Sequence, residues 1–126
     1  MRAGQSRYLV EPNLKESKGG LRDLNTLFWI ARYSYQIDEL NELVALDVLT
    51  PAELRLFRRC DHFLWEVRCH LHFMTGRAEE RLSFDVQKPL SAHFEADDSA
   101  GMKSVEKFMR RYFLVAKNIG DLTAIF

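Results

Sequence analysis

The sequence predicts an all-α fold, an antiparallel helical bundle entered through an extended, strand-like N-terminal segment. Three observations carry this. Apolar residues recur at three- and four-residue steps in several separate stretches, two of them long. Thr50-Pro51-Ala52-Glu53 is a complete helix-start signal in mid-chain. Apart from Tyr8-Leu9-Val10, no β-prone run stands out, so amphipathic helices must bury their stripes against one another.

The elements follow in order. Tyr8-Leu9-Val10 is β-prone and delivers Glu11 to a strand's end, where Pro12 keeps that residue extended. A lysine-rich turn and the pair Gly19-Gly20 lead to a first helix over residues 21–35, with Leu21, Leu24, Leu27 or Phe28, Ala31 and Tyr35 in step. A short second helix is expected over residues 38–47, with Leu40, Leu43 and Val44 inward. The third runs from the Thr50 cap to about Thr75, with Gly76 as its C-cap. Its stripe is Leu54, Phe57, Leu64, Val67, Leu71 and Met74, and Trp65 is expected to be buried with it. Residues 77–84 read as a polar connection and 85–95 as a weaker helix that Pro89 either interrupts or starts. Asp97-Asp98-Ser99 reads as a loop, and a last helix begins near Gly101 with Val105, Phe108, Met109, Tyr112, Val115, Ile119 and Leu122 apolar.

Composition narrows the function classes. The chain has 126 residues, enough for one domain or part of one, and 47% of them are hydrophobic. Lys plus Arg and Asp plus Glu both number 18, which argues against duplex nucleic acid as the main partner. No run of 18 apolar residues crosses a membrane, and the first six residues lack the apolar core of a signal peptide. Cys60 and Cys69 lie on opposite faces of one helix, about 13 Å apart along its axis, too far for a disulfide. A reducing, cytoplasmic setting fits. A lone strand cannot satisfy its backbone, and the last residues carry no stop signal, so both ends read as cut from something larger.

The chemistry concentrates in Glu11 to Leu24. Strand end, basic glycine turn and helix start together can hold a phosphate or a metal-bound phosphate. The glycines lack P-loop spacing, so a plain helix-entry turn with backbone freedom at Gly19-Gly20 is the competing reading. Elsewhere, His62, Cys69 and His72 could be imagined as a zinc site but lack any paired zinc-motif spacing, and histidines satisfied by polar neighbours are the preferred reading. Arg68 stands in an apolar stripe and needs a carboxylate, with Asp85 or Glu106 in view. Arg77, Arg81 and Asp85 read as a network tying helix ends together. The basic cluster Lys107, Arg110, Arg111 reads as a solvated helix face. No G-x-S-x-G nucleophile motif occurs.

The wording of these segments resembles a known family. Tyr8-Leu9-Val10-Glu11-Pro12-Asn13-Leu14-Lys15-Glu16, followed by Gly19-Gly20-Leu21-Arg22-Asp23-Leu24, is similar to the junction segment of the bacterial PII-protein uridylyltransferase/uridylyl-removing enzymes. Phe63 to His72, Gly76 to Gln87 and Val105 to Met109 follow in that family's order, so the likeness covers about residues 7–126. The resemblance implies that residues 1–18 end a nucleotidyltransferase domain and form the linking turn, and that 19–126 are a helical domain truncated at its C-terminus. The strand-like segment would then be left over from the upstream nucleotidyltransferase sheet. The resemblance further implies transfer of UMP from UTP, with Mg²⁺, to a tyrosine of the PII signalling protein, and a downstream HD domain for uridylyl removal.

By the same resemblance Glu11 occupies a place where the third metal-holding carboxylate of the nucleotidyltransferase superfamily falls, with a solvated residue before a turn as the alternative. Lys15 and Arg22 become candidates for phosphate contact, while Lys18, outside the recurring wording, reads as solvated. Asp23 reads as a complement to the first helical turn. The early Asp-x-Asp pair of the superfamily is absent from this chain, as is the His-Asp dipeptide of the hydrolytic site, so no catalytic residue is assigned. A non-catalytic helical interaction module is the second reading. Residues 1–18 are expected to be the loosest part when their sheet is missing.

Overall fold

The computed structural model describes residues 11–95 and 104–125. Five helices follow in order: α1 Leu21–Tyr35, α2 Glu42–Ala45, α3 Pro51–Thr75, α4 Phe84–Phe94 and α5 Ser104–Thr123. Tyr8-Leu9-Val10, Asp97-Asp98-Ser99 and the expected helix start at Gly101 lie outside the described residues. Among those described there is no strand, only an isolated antiparallel bridge between Asn13 and Arg81.

The helix starts follow their local chemistry. Thr50 accepts from the Glu53 amide at 3.1 Å while Glu53 accepts from the Thr50 amide at 2.8 Å, which is the reciprocal box expected there. Gly76 ends α3 in the left-handed conformation, φ 68°, its amide returning to the His72 carbonyl. Two expectations are corrected. The second helix is only one turn, because Glu42 turns its carboxylate back on the Asp38 and Glu39 amides and Asp47 adopts φ 59°, both helix-bounding. The fourth begins at Phe84, with Pro89 inside it. Pro89 is exposed at the sixth helical position, where it forgoes one backbone hydrogen bond without displacing a packed neighbour.

α3 and α5 share the centre: each packs on the other and on both α1 and α4. The main core gathers Leu21, Leu24 and Leu27 of α1, Phe57, Leu64, Val67 and Leu71 of α3, Leu90 of α4, and Phe108, Met109, Tyr112 and Ile119 of α5. A smaller cluster, Ala31, Ile37, Leu43 and Leu49, seats α2. Trp65 is not in the core as expected; it is 41% exposed. It lies one residue, or about 100°, off Leu64, at the edge of the stripe, where the Arg68 guanidinium covers its ring at 4.9 Å.

Of the segment expected to be loosest, the described residues 11–18 are anchored. Leu14 is fully buried in the main core. Its amide donates to the Glu80 carbonyl at 2.7 Å, and the Leu82 amide donates to the Pro12 carbonyl at 2.8 Å. Residues 12–14 thus pair with 80–82, a backbone partner that the bundle itself supplies.

Candidate functional site

The turn from Glu11 to Asp23 is built by side chains folding back on their own backbone. The Asn13 carboxamide oxygen accepts from the Lys15 and Glu16 amides, and Ser17 Oγ accepts from the Asn13 amide. Gly19 adopts φ 78°, open to glycine at little cost, and presses on Ala116 of α5. The Gly19 amide donates to Asp23 Oδ2 at 2.6 Å, so Asp23 does complement the helix entry.

This geometry corrects one expectation. A phosphate at the α1 start would need free amides there. The Leu21 amide instead donates to the Leu14 carbonyl at 2.8 Å and the Arg22 amide to the Lys15 carbonyl at 3.0 Å. These amides are therefore not free for an anion, and only side chains of this turn are available for one. Lys15 is exposed, and no ion pair holds it among the described residues. Arg22 is exposed and bonded to Glu16 at 2.7 Å, a contact that holds the Glu16 carboxyl below the usual carboxylate range. Lys18 lines an open pocket of about 540 Å³ with Lys117 and Asp121, which pair with each other at 3.0 Å.

Glu11 stands apart from that group. Its Oε2 accepts from the Phe84 amide at 2.8 Å, and its Oε1 lies 3.8 Å from Arg81. Among the described residues no hydrogen bond or ion pair joins Glu11 to Lys15 or Arg22. The candidates thus face two directions, the carboxylate toward α4 and Arg22 toward Glu16. The Phe84 contact spans 73 positions and leaves no local pattern in the sequence, whereas Arg81 was visible in the recurring wording.

Fit to a metal can be judged from these contacts. Among the described residues no three His, Cys, Asp or Glu side chains gather around a common point. Mg²⁺, however, takes one or two protein carboxylates and fills its shell with phosphate oxygens and water. Glu11 has one oxygen fixed and one beyond hydrogen-bond distance of Arg81, so it fits as a single ligand and not as a self-contained cage.

Several other polar residues are engaged locally, although buried His72 Nε2, Glu80 Oε2 and Tyr112 Oη have no hydrogen-bond partner among the described residues, so His72 is not satisfied as expected. Arg68 pairs with Glu80, at 2.8 and 3.0 Å, and not with Asp85 or Glu106. The reversal at Gly76 lays Glu80 back alongside α3, within reach of Arg68 and 3.6 Å from His72. His62 faces Glu66, and Arg77 pairs with Glu79. His70 packs against His93, ring centroids 3.8 Å apart and planes tilted by 44°, beside an open apolar groove of about 560 Å³ that Cys69, Phe73, Met74 and Pro89 also line. Both cysteines are free; burial pushes the Cys60 thiol up to about 11, which keeps it unreactive. No described helix is long and apolar enough to cross a membrane.

These features define a helical module that carries one anchored carboxylate and a basic, glycine-containing entry turn. Residues 1–126 match the GlnD PII-uridylyltransferase family, and the chain belongs to that family. It is 61% identical over 124 residues to the bifunctional uridylyltransferase/uridylyl-removing enzymes of Nitrobacter winogradskyi and Nitrobacter hamburgensis. It is 59% identical over 124 residues to the enzyme of that name from Rhodopseudomonas palustris. Each match covers 98% of this chain and 13% of the relative. No solved structure matches the chain.

Proposed function

We propose that this chain is the helical part of a bifunctional uridylyltransferase/uridylyl-removing enzyme of nitrogen regulation. It packs on an upstream nucleotidyltransferase domain and is followed by an HD domain. The complete enzyme transfers UMP from UTP to a tyrosine of the PII signalling protein, in the cytoplasm. The observation that carries this reading is the family match along all 126 residues, at 61% identity to enzymes so named.

In this reading a tyrosyl oxygen of PII attacks the α-phosphorus of UTP and pyrophosphate leaves. Such chemistry depends on positioning and charge neutralisation more than on a covalent nucleophile. Mg²⁺, when bound, neutralises the phosphates and polarises the reacting centre. Glu11 offers that ion one carboxylate oxygen. Lys15, exposed and without an ion pair among the described residues, and Arg22, which exchanges Glu16 for a phosphate, neutralise the triphosphate tail. The α3/α4 groove with Phe73 and Met74 is the surface that a purely interacting module would use.

The test compares this chain with the complete enzyme, each incubated with PII protein, labelled UTP and Mg²⁺. The expected result is PII labelling by the complete enzyme and none by the chain, which has no Asp-x-Asp pair. Robust turnover by the purified chain, or none by the complete enzyme, would contradict the reading.

A further inference from the structure

We propose that the amino end of α4 is the positioning element for Glu11, fixing one carboxylate oxygen so that the other is presented to the metal. The proposal rests on the reading of Glu11 as a metal ligand and adds the element that orients it.

Ser83, the N-cap of α4, makes no side-chain cap bond. The Phe84 amide is the first of the helix and has no intrahelical acceptor. Glu11 supplies that acceptor, Oε2 at 2.8 Å, from 73 positions upstream. The backbone on either side is pinned to the same place, by Leu82 on Pro12, Leu14 on Glu80 and the Asn13–Arg81 bridge. The carboxylate is therefore held at both its main chain and one oxygen. The positive end of the α4 dipole favours a carboxylate there. Arg81, its side chain 61% exposed, makes a long ion pair with Oε1 at 3.8 Å, a weak exposed contact that a divalent cation would have to displace. Outer contacts that orient a metal-binding carboxylate tune metal affinity strongly. Here that contact belongs to a helix of the bundle, which makes α4 part of the metal site's support.

Phe84→Pro tests this by removing the amide hydrogen that Glu11 accepts. Proline is well tolerated at the first helical position, and Ser83, at φ −67° and ψ 159°, already has the backbone that a residue before proline adopts. Phe84 is half-exposed, and Phe84→Ala controls for the lost ring while keeping the amide. The readout is Mn²⁺ binding to the complete enzyme, followed by electron paramagnetic resonance, beside the thermal midpoint. Phe84→Pro is expected to weaken Mn²⁺ binding about tenfold or more, with Phe84→Ala close to wild type. Glu11→Gln is expected to weaken it as well. Wild-type Mn²⁺ affinity in Phe84→Pro, with weakened binding in Glu11→Gln, overturns the positioning role and leaves the ligand reading intact. Wild-type affinity in Glu11→Gln overturns both. Should Phe84→Pro fail to fold, hydrogen exchange at the Phe84 amide decides. It is expected to be protected in the wild type and unprotected in Glu11→Ala, and an unprotected wild-type amide overturns the proposal.

Discussion

Gly19→Ala is expected to destabilise the bundle by about 2–5 kcal/mol, the largest loss from any single added methyl group in the entry turn. Two effects add. Gly19 sits at φ 78°, where an L-residue with a β-carbon pays about 1–2 kcal/mol. The new β-carbon would also stand 2.4 Å from the Ala116 carbonyl oxygen and 2.8 Å from its α-carbon. Those atoms are the backbone of α5, so relief requires moving a helix that packs on α1, α3 and α4. Forced overpacking of this kind costs about 1–3 kcal/mol. Gly76→Ala separates the two effects, since φ is 68° there but nothing lies within 4 Å of the added carbon. Chemical denaturation of the two variants should show the Gly19 loss to be clearly the larger. Equal losses would mean that the turn does not press on α5.

Leu64→Ala and Leu71→Ala should each remove about 2–5 kcal/mol. Both side chains are fully buried in the main core, between α3 and its neighbours, and truncation leaves a cavity that packed helices fill only partly. Each variant should lower the thermal midpoint by many degrees. Trp65→Ala, at a half-exposed position two residues from Val67, should cost clearly less despite deleting more atoms. Unchanged melting in both leucine variants would place the buried face of α3 elsewhere.

What was legible in the sequence was periodic or local. The Thr50–Glu53 box needs only four adjacent residues, and the α3 stripe fixes the buried face as far as Leu71, while Met74, expected on it, is exposed. Trp65 was misplaced because the edge of a stripe depends on what packs beside it, here the Arg68 guanidinium. α2 was overdrawn because its apolar spacing continues past the point where Glu42 and Asp47 end the turn. Partners far apart in the chain left no signal at all. Arg68 found Glu80 only because the connection after Gly76 folds back on α3. Gly19-Gly20 looked like a phosphate turn, and the need for Gly19 to touch Ala116 is a tertiary fact. Of the candidate site, Glu11, Lys15 and Arg22 stand out by wording, while the cap that Glu11 places on α4 is visible only in the fold.

Glu11 is proposed to serve the magnesium of UMP transfer, and its charge can be tested in the complete enzyme. Uridylylation of PII by the complete enzyme is followed across a range of Mg²⁺ concentrations, for wild type and Glu11→Gln. Glutamine keeps the size of the side chain and an oxygen for the Phe84 amide, and removes the charge that Mg²⁺ needs. Lys15→Ala and Arg22→Ala serve as comparisons, expected to raise the apparent KM for UTP. Glu11→Gln is expected to lower the rate about tenfold or more, ~1.4 kcal/mol or more of transition-state stabilisation, and to raise the Mg²⁺ requirement, while the charge lost at the α4 amino end costs only about 0.3–1 kcal/mol of stability. Near-normal rates for Glu11→Gln at every Mg²⁺ concentration would contradict it, leaving Glu11 as the cap of α4 and nothing more.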